Sequence, residues 1–175
     1  DSTLALISTA APYQPDKGPQ DARAPYNAAA KFYAVYAGDT AVDHDLRVSH
    51  VAIDRTHLSH DSGTWFPLPA LRRALQRGRI GGITPRFIGV PTNRSQRHTL
   101  AVDAPQVLAV CREDGADAAV LVPNCPVCHQ TMALMARQLE AAGIATVVLG
   151  AAKDIIETAG VPRFVFNDLP LGHSA

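Results

Sequence analysis

Asp117-Ala-Ala-Val-Leu-Val-Pro-Asn-Cys125-Pro-Val-Cys128-His129 joins an apolar run to a segment with a different period. Residues 117–123 are short, apolar and rich in strand-forming side chains, which predicts a buried strand. From Val127 onward, Met132, Met135, Ala136 and Leu139 recur at helical spacing until Gly143 supplies a stop. A buried strand that runs straight into an amphipathic helix is the repeating unit of a parallel α/β sheet. Cys125 and Cys128 therefore fall at a helix N-terminus. Unpaired backbone N–H groups and the positive end of the helix dipole favour thiolate over thiol there.

The neighbouring segments repeat the unit. Leu4–Thr9, Val48–Ile53, Phe87–Val90, Thr146–Leu149 and Arg163–Phe166 read as further strands, the last two of them buried. Pro67 and Pro69 open a helix with Leu71 and Leu75 on one face, closed by Gly78. Asp103 has the character of an N-cap, with Pro105 in the first turn, for a helix ending near Gly115, and another helix spans Asp154 to Ala159. From residue 87 onward strands and helices alternate, so right-handed crossovers are expected. The expected fold is a three-layer α/β domain over residues 1–175: a mainly parallel sheet with helices on both faces. Pro12 to Pro25, with prolines, a glycine and several charges, reads as a surface loop that is also a candidate binding loop.

Composition narrows the function. Sixteen basic and sixteen acidic residues cancel, so no global field draws the chain to nucleic acid or an anionic membrane, and neither is an expected partner. Arg72, Arg73, Arg77 and Arg79 lie close together, as a solvated helix face or an anion-binding surface. No signal-peptide pattern and no bilayer-length apolar run is present, and three cysteines make no disulfide framework, so a reducing cytoplasm is the expected setting. The chain opens at Asp1 rather than methionine, which leaves an upstream export signal open.

In parallel sheets ligands bind outside the carboxyl ends of the strands. That edge would gather Thr9 and Ala10, Pro91 to Asn93, Cys125 to His129 and Asn167 to Leu171. Cys125 is the expected nucleophile, Cys128 its resolving partner, and His129 a proton donor or a stabiliser of the thiolate. Asn124, Asn93, His50, Asp54 and Asp168 are the candidate substrate contacts. Cys111, inside the apolar run Val107 to Cys111, reads as core. No G-x-G-x-x-G or G-x-x-x-x-G-K-[ST] is present, so nothing points to a dinucleotide or nucleoside triphosphate.

Other chemistries stay open. One C-x-x-C is half of a zinc site, although no second C-x-x-C or H-x-x-x-H completes it. His44, His50, His57 and His60, interleaved with Asp43, Asp45, Asp54 and Asp61, form a second candidate metal or acid/base group whose spacing matches no standard zinc motif. A racemase-like or lyase-like enzyme with a thiol base is a third reading, weakened because two such thiols should face each other across the substrate. A metal-binding or interaction module is the fourth.

Several segments, in order and over nearly the whole chain, carry a family resemblance. They are Leu46-Arg-Val-Ser-His50 with Asp54, Trp65-Phe-Pro-Leu68 leading into Leu71-Arg72, Ile80-Gly-Gly-Ile-Thr-Pro85, and Asp114-Gly-Ala-Asp117. The C-x-x-C segment with Gln130-Thr-Met132, Gly143-Ile-Ala-Thr146, and Gly160-Val-Pro-Arg-Phe164 with Asp168-Leu-Pro-Leu-Gly172 continue the series. Together they resemble the glycine/sarcosine/betaine reductase and D-proline reductase selenoprotein B family. The resemblance implies reductive cleavage: a selenocysteine in this strand-to-helix segment attacks a carbon bearing a leaving amine. A neighbouring thiol and an external dithiol or thioredoxin-like donor then regenerate it. It also implies a partner reductase subunit carrying a pyruvoyl group. This chain has no selenocysteine, so Cys125 with Cys128 would carry the analogous step, or else Val122 occupies the selenocysteine's place. Thiolate is a weaker nucleophile than selenolate, which favours a small amine- or sulfur-bearing substrate other than an unactivated amino acid. An apolar helix face would serve a homo-oligomer as readily as a core.

Overall fold

β1 (Thr3–Ser8) lies at the middle of the sheet, flanked on both sides by parallel strands. The computed structural model describes residues 2–21, 24–47, 53, 61–173 and 175. After β2 (Ala11–Pro12), β3 (Tyr36–Asp39) and β4 (Leu46–Arg47) come α1 (Leu68–Gln76), β5 (Gly82–Ile83) and β6 (Arg86–Gly89). Then follow α2 (Gln96–His98), a π-turn (Thr99–Asp103), α3 (Ala104–Glu113), β7 (Ala118–Val122), α4 (Pro126–Ala141), β8 (Ala145–Gly150), α5 (Lys153–Thr158) and β9 (Phe164–Phe166). The main sheet runs β3-β6-β1-β7-β8-β9, with β5 pairing the start of β1 and only β3 antiparallel. The expected mainly parallel α/β architecture is the one observed.

The chain goes from β1 to β6 on one side and then crosses β1 to reach β7 on the other. This reversal opens a crevice beyond the carboxyl ends of β1 and β7. Ser8 is level with both Gly89 of β6 and Val122 of β7, so three strands end together at its rim.

Alternation of side chains across the strands builds two cores. Ala5, Ile7, Ile88, Ala119, Leu121 and Val148 face the layer of α3, α4 and α5, where Val107, Cys111, Met132, Met135, Leu139 and Ile156 are buried against them. Leu6, Phe87 and Val122 face the other way, under Trp65, Phe66 and Leu68 at the start of α1. Burying each such large apolar side chain stabilises the fold by about 1.5–3 kcal/mol. Cys125 and Cys128 belong to this second core.

Two local expectations need revision, and one strand was not expected. Asp103 is not an N-cap: Ser95 caps the helical run, accepting from the His98 N–H at 3.2 Å, while Asp103 is buried in the π-turn. Pro105 lacks an N–H and its ring would strike the carbonyl four residues back, and the π-turn, in which the Ala104 N–H reaches the Thr99 carbonyl, shifts the helix around it. β9, expected to be buried, is an edge strand with Val165 and Phe166 about half exposed. β3 carries no apolar run and was not foreseen. Gly38 and Gly89 bring it into line, since a Cβ at Gly38 would sit 2.5 Å from the Phe87 ring and one at Gly89 would run into Tyr36. Of the expected strand Val48–Ile53, residues 48–52 lie outside the described residues, and Ile53 is a buried bend.

Arg72 does not simply face solvent. It donates to the carbonyls of Thr40 and Val42 and to Asp43, strapping the turn after β3 to α1. Among the described residues, no helix is long and apolar enough to cross a membrane.

Candidate functional site

Cys125 is the N-cap of α4. Its backbone is extended, Pro126 fills the first helical position, where a missing N–H costs nothing, and its sulfur accepts the Cys128 N–H at 3.3 Å. Cys125 and Cys128 are joined as a disulfide with their Cα atoms 4.9 Å apart. The Thr92 hydroxyl lies 3.2 Å from the Cys128 sulfur. Cys111 is free and wholly buried, and burial, reinforced by the negative charge of Asp114, pushes its thiol up to about 11.

His129 follows the pair, yet its ring turns into the protein. Nδ1 lies 2.8 Å from the Cys125 carbonyl, and Nε2 accepts from the N–H groups of Ala151 and Ala152 at 3.1 and 3.2 Å. An Nε2 that accepts two N–H bonds carries no proton, so the ring is neutral with its hydrogen on Nδ1. Burial lowers its pKa, against weaker opposing contributions from the Cys125 carbonyl and Asp154. The ring fits because residue 150 is glycine, where a Cβ would stand 2.6 Å from Nε2. The expectation that His129 handles protons at the thiols does not suit this geometry. It ties the first turn of α4 to the loop after β8.

Beside the two sulfurs, a cleft with about 110 Å³ of free volume opens where the strand order reverses. A site for one water needs only ~10–15 Å³ on the same measure, so a small metabolite fits. Thr9 and Asn124 sit on its floor. The Thr9 hydroxyl accepts from the Asn124 backbone N–H at 3.0 Å and from its side-chain amide at 3.1 Å. The Asn124 Oδ1 is buried without a hydrogen-bond partner. The expected binding loop also reaches the cleft, through Gln20, with Tyr26 and Lys31 just beyond it. Amide side chains shape that loop: the Gln20 side chain accepts the Gln14 N–H and donates to the Gln14 carbonyl, and Asn27 donates to the carbonyls of Lys17 and Pro19.

Among the described residues, the lining includes Lys31, Arg47 and Arg94 and no Asp or Glu. Arg47 is neutralised locally by Asp45. Burial, and after it the positive charge of Arg94, lowers the pKa of Lys31. Tyr36 completes the wall, donating its hydroxyl hydrogen to the Ala10 carbonyl at 2.8 Å, and burial raises its pKa.

Of the residues expected to form the site, Cys125, Cys128, Asn124, Thr9, Ala10 and Pro91 line the cleft. Asn93 does not. Its amide donates to Asp103 at 2.7 Å and its carbonyl accepts the Ser95 N–H, so it shapes the loop that carries Thr92 and Arg94. Asp168 is exposed, and neither it nor the rest of Asn167–Leu171 lines the cleft. His50, Asp54, His57 and His60 lie outside the described residues. His44 packs edge-on against Phe87 with its Nε2 2.6 Å from the Asp39 carbonyl. Sequence reasoning missed Lys31, Arg47 and Arg94. Position alone hinted at Arg94, in the loop after β6, and at Arg47, in a family segment.

The chain is 28% identical over 177 residues to D-proline reductase subunit gamma of Acetoanaerobium sticklandii, an alignment covering all of this chain and 70% of that protein. It is 24% identical over 166 residues to glycine reductase complex component B subunit gamma of Carboxydothermus hydrogenoformans, covering 94% of this chain and 38% of that protein. No family model matches the chain, and no solved structure does. The two similarities bear out the resemblance read from the sequence: the chain is related to the selenoprotein B reductase family.

Proposed function

We propose that this relative of the selenoprotein B reductases is the thiol-bearing component of a reductase, which cleaves a small amine- or sulfur-bearing substrate. The observation that carries the reading is the Cys125–Cys128 pair on the first turn of α4, opening onto a cleft at the reversal of strand order. In the reduced form, the Cys125 thiolate attacks the substrate carbon. A C–S bond forms, the C–N or C–S bond to the leaving group breaks, and the leaving group departs with the electron pair and takes up a proton. The Cys128 thiolate then attacks the Cys125 sulfur, so that an S–S bond forms while the new C–S bond breaks. Its electron pair stays on carbon, which is protonated from water in the open cleft. The substrate gains two electrons, the dithiol loses two, and an external dithiol restores it.

The helix N-terminus and the Cys128 N–H favour negative charge on the Cys125 sulfur. Thr92 stands beside the resolving sulfur. In this reading His129 is a positioning residue. A partner subunit, as the names of the relatives suggest, would supply further activation of the substrate. A thiol-base racemase is less favoured, because two sulfurs bonded within one helical turn do not face each other across a substrate.

The test is turnover with dithiothreitol of candidate amines and thioethers, comparing the intact protein with Cys125→Ser and Cys128→Ser. Cys125→Ser should be inactive, and Cys128→Ser should accumulate a Cys125 adduct visible by mass spectrometry. Full activity in Cys125→Ser would sink the nucleophile assignment.

A further inference from the structure

We propose that the cleft is built for a small dianion, a dicarboxylate or a phosphomonoester, held by Lys31 and Arg94 and carrying an N–H or O–H that meets Asn124. The proposal rests on the reading of this cleft as the reductase site and adds the class of substrate it takes.

Charge is the first argument. Among the described residues, three cations line the cleft and no carboxylate does. Asp45 accounts for Arg47 through contacts of 2.8 and 2.9 Å. Among the described residues no carboxylate pairs with Lys31 or Arg94. Lys31 is half-buried and Arg94 exposed, the positive charge of Arg94 is felt at Lys31, and both converge on the cleft with no counterion among the described residues. Such an arrangement is unfavourable in the empty protein and is relieved by a bound anion. A zwitterion or a monocarboxylate leaves at least one positive charge unmatched, whereas a dianion matches both.

Backbone conformation is the second argument. Arg94 has φ 61, in the left-handed region that side chains other than glycine seldom adopt. Among the described non-glycine residues it alone does so. Asn93 holds it there, accepting the Ser95 N–H at 2.9 Å and donating to the buried Asp103 at 2.7 Å. A disfavoured conformation that is fixed by its neighbours and delivers a cation to a cleft fits a binding role.

Polar satisfaction is the third. Asn124 is 1% exposed and lines the cleft, with one side-chain amide hydrogen bond to Thr9 and an Oδ1 that has no partner. A buried amide oxygen left unpaired costs stability, and a ligand hydroxyl or N–H would satisfy it.

The experiment is isothermal titration of the oxidised protein, and separately of Cys125→Ser, with four probes at low ionic strength. These are malate, glycerol 3-phosphate, lactate as the matched hydroxy monocarboxylate, and glycine as the zwitterion. At least one dianion should bind about tenfold or more tighter than lactate and glycine. Lys31→Gln and Arg94→Gln should each weaken it about tenfold, and the exposed Arg112→Gln should leave it unchanged. Preference for malate identifies a dicarboxylate site, and preference for glycerol 3-phosphate a phosphomonoester site. Lactate or glycine binding as tightly as the dianions, no binding of any probe, or unchanged affinity in both cleft variants would overturn the proposal. Binding is read without turnover, so dianion binding in a protein that shows no dithiol-dependent reaction counts against the reductase reading alone.

Discussion

The Thr9 hydroxyl accepts two hydrogen bonds from Asn124, one from its backbone N–H at 3.0 Å and one from its side-chain amide at 3.1 Å. Thr9 follows β1 and Asn124 follows β7, so this contact pins together the strand ends on either side of the reversal and sets the floor of the cleft. Replacing Thr9 by valine keeps the shape and leaves the Asn124 N–H unpaired in a buried place. A loss of about 1–3 kcal/mol in urea denaturation is expected. A change below about 0.5 kcal/mol would mean the contact contributes little.

The two classes of thiol should separate chemically. After reduction at neutral pH, Cys125 should alkylate much faster than Cys111, because Cys111 is wholly buried and its thiol is pushed up to about 11. Mass spectrometry of timed iodoacetamide reactions reads both sites, and equal rates in the folded protein would contradict this placement.

His129 should make stability depend on pH. Its folded-state pKa lies below the ordinary histidine value of 6.5, so below about pH 6.5 the unfolded chain takes up the proton first. The stability it contributes is fully present above pH 6.5 and is lost as the pH falls through the folded pKa. Denaturant midpoints between pH 7.5 and 5 should fall more steeply for the intact protein than for His129→Gln. Parallel curves would show that the neutral buried ring is not the cause.

Gly150→Ala tests the same region by shape. Its Cβ would meet His129 Nε2 at 2.6 Å, and the ring cannot retreat without giving up the Ala151 and Ala152 N–H groups. A destabilisation of about 1–3 kcal/mol is expected from the crowding, and a thermal melt unchanged from the parent would refute it.

Removing the strap of Arg72 should loosen the turn after β3. Arg72→Leu leaves the carbonyls of Thr40 and Val42 and the carboxylate of Asp43 without their donor. Amide exchange around residues 40–43 should speed up while β1 and β7 stay protected. Uniform exchange across the protein would show that the strap is not local.

Apolar periodicity and helix punctuation were enough to place β1, β6, β7, β8, α1, α4 and α5, because each carries a run of side chains whose burial depends only on its own spacing. β3 escaped because Tyr36-Ala-Gly-Asp39 has no apolar alternation. Its place depends on two glycines that let the Tyr36 and Phe87 rings pass. The Asp103 cap was a false signal for a related reason: a buried aspartate bonded to Asn93 and a polar cap look alike until the tertiary contact is seen.

By itself the sequence determined the strand-to-helix junction and the two thiols on its first turn, since residues three apart at a helix start meet whatever the rest of the chain does. Only the tertiary structure decided what those thiols face. Lys31, Arg47 and Arg94 reach one cleft because the order of strands brings two distant loops and β4 over the ends of β1 and β7. It also turned His129, adjacent to Cys128 in the chain, away from the cleft, because the N–H groups after β8 offered its ring nitrogen partners that no local spacing encodes.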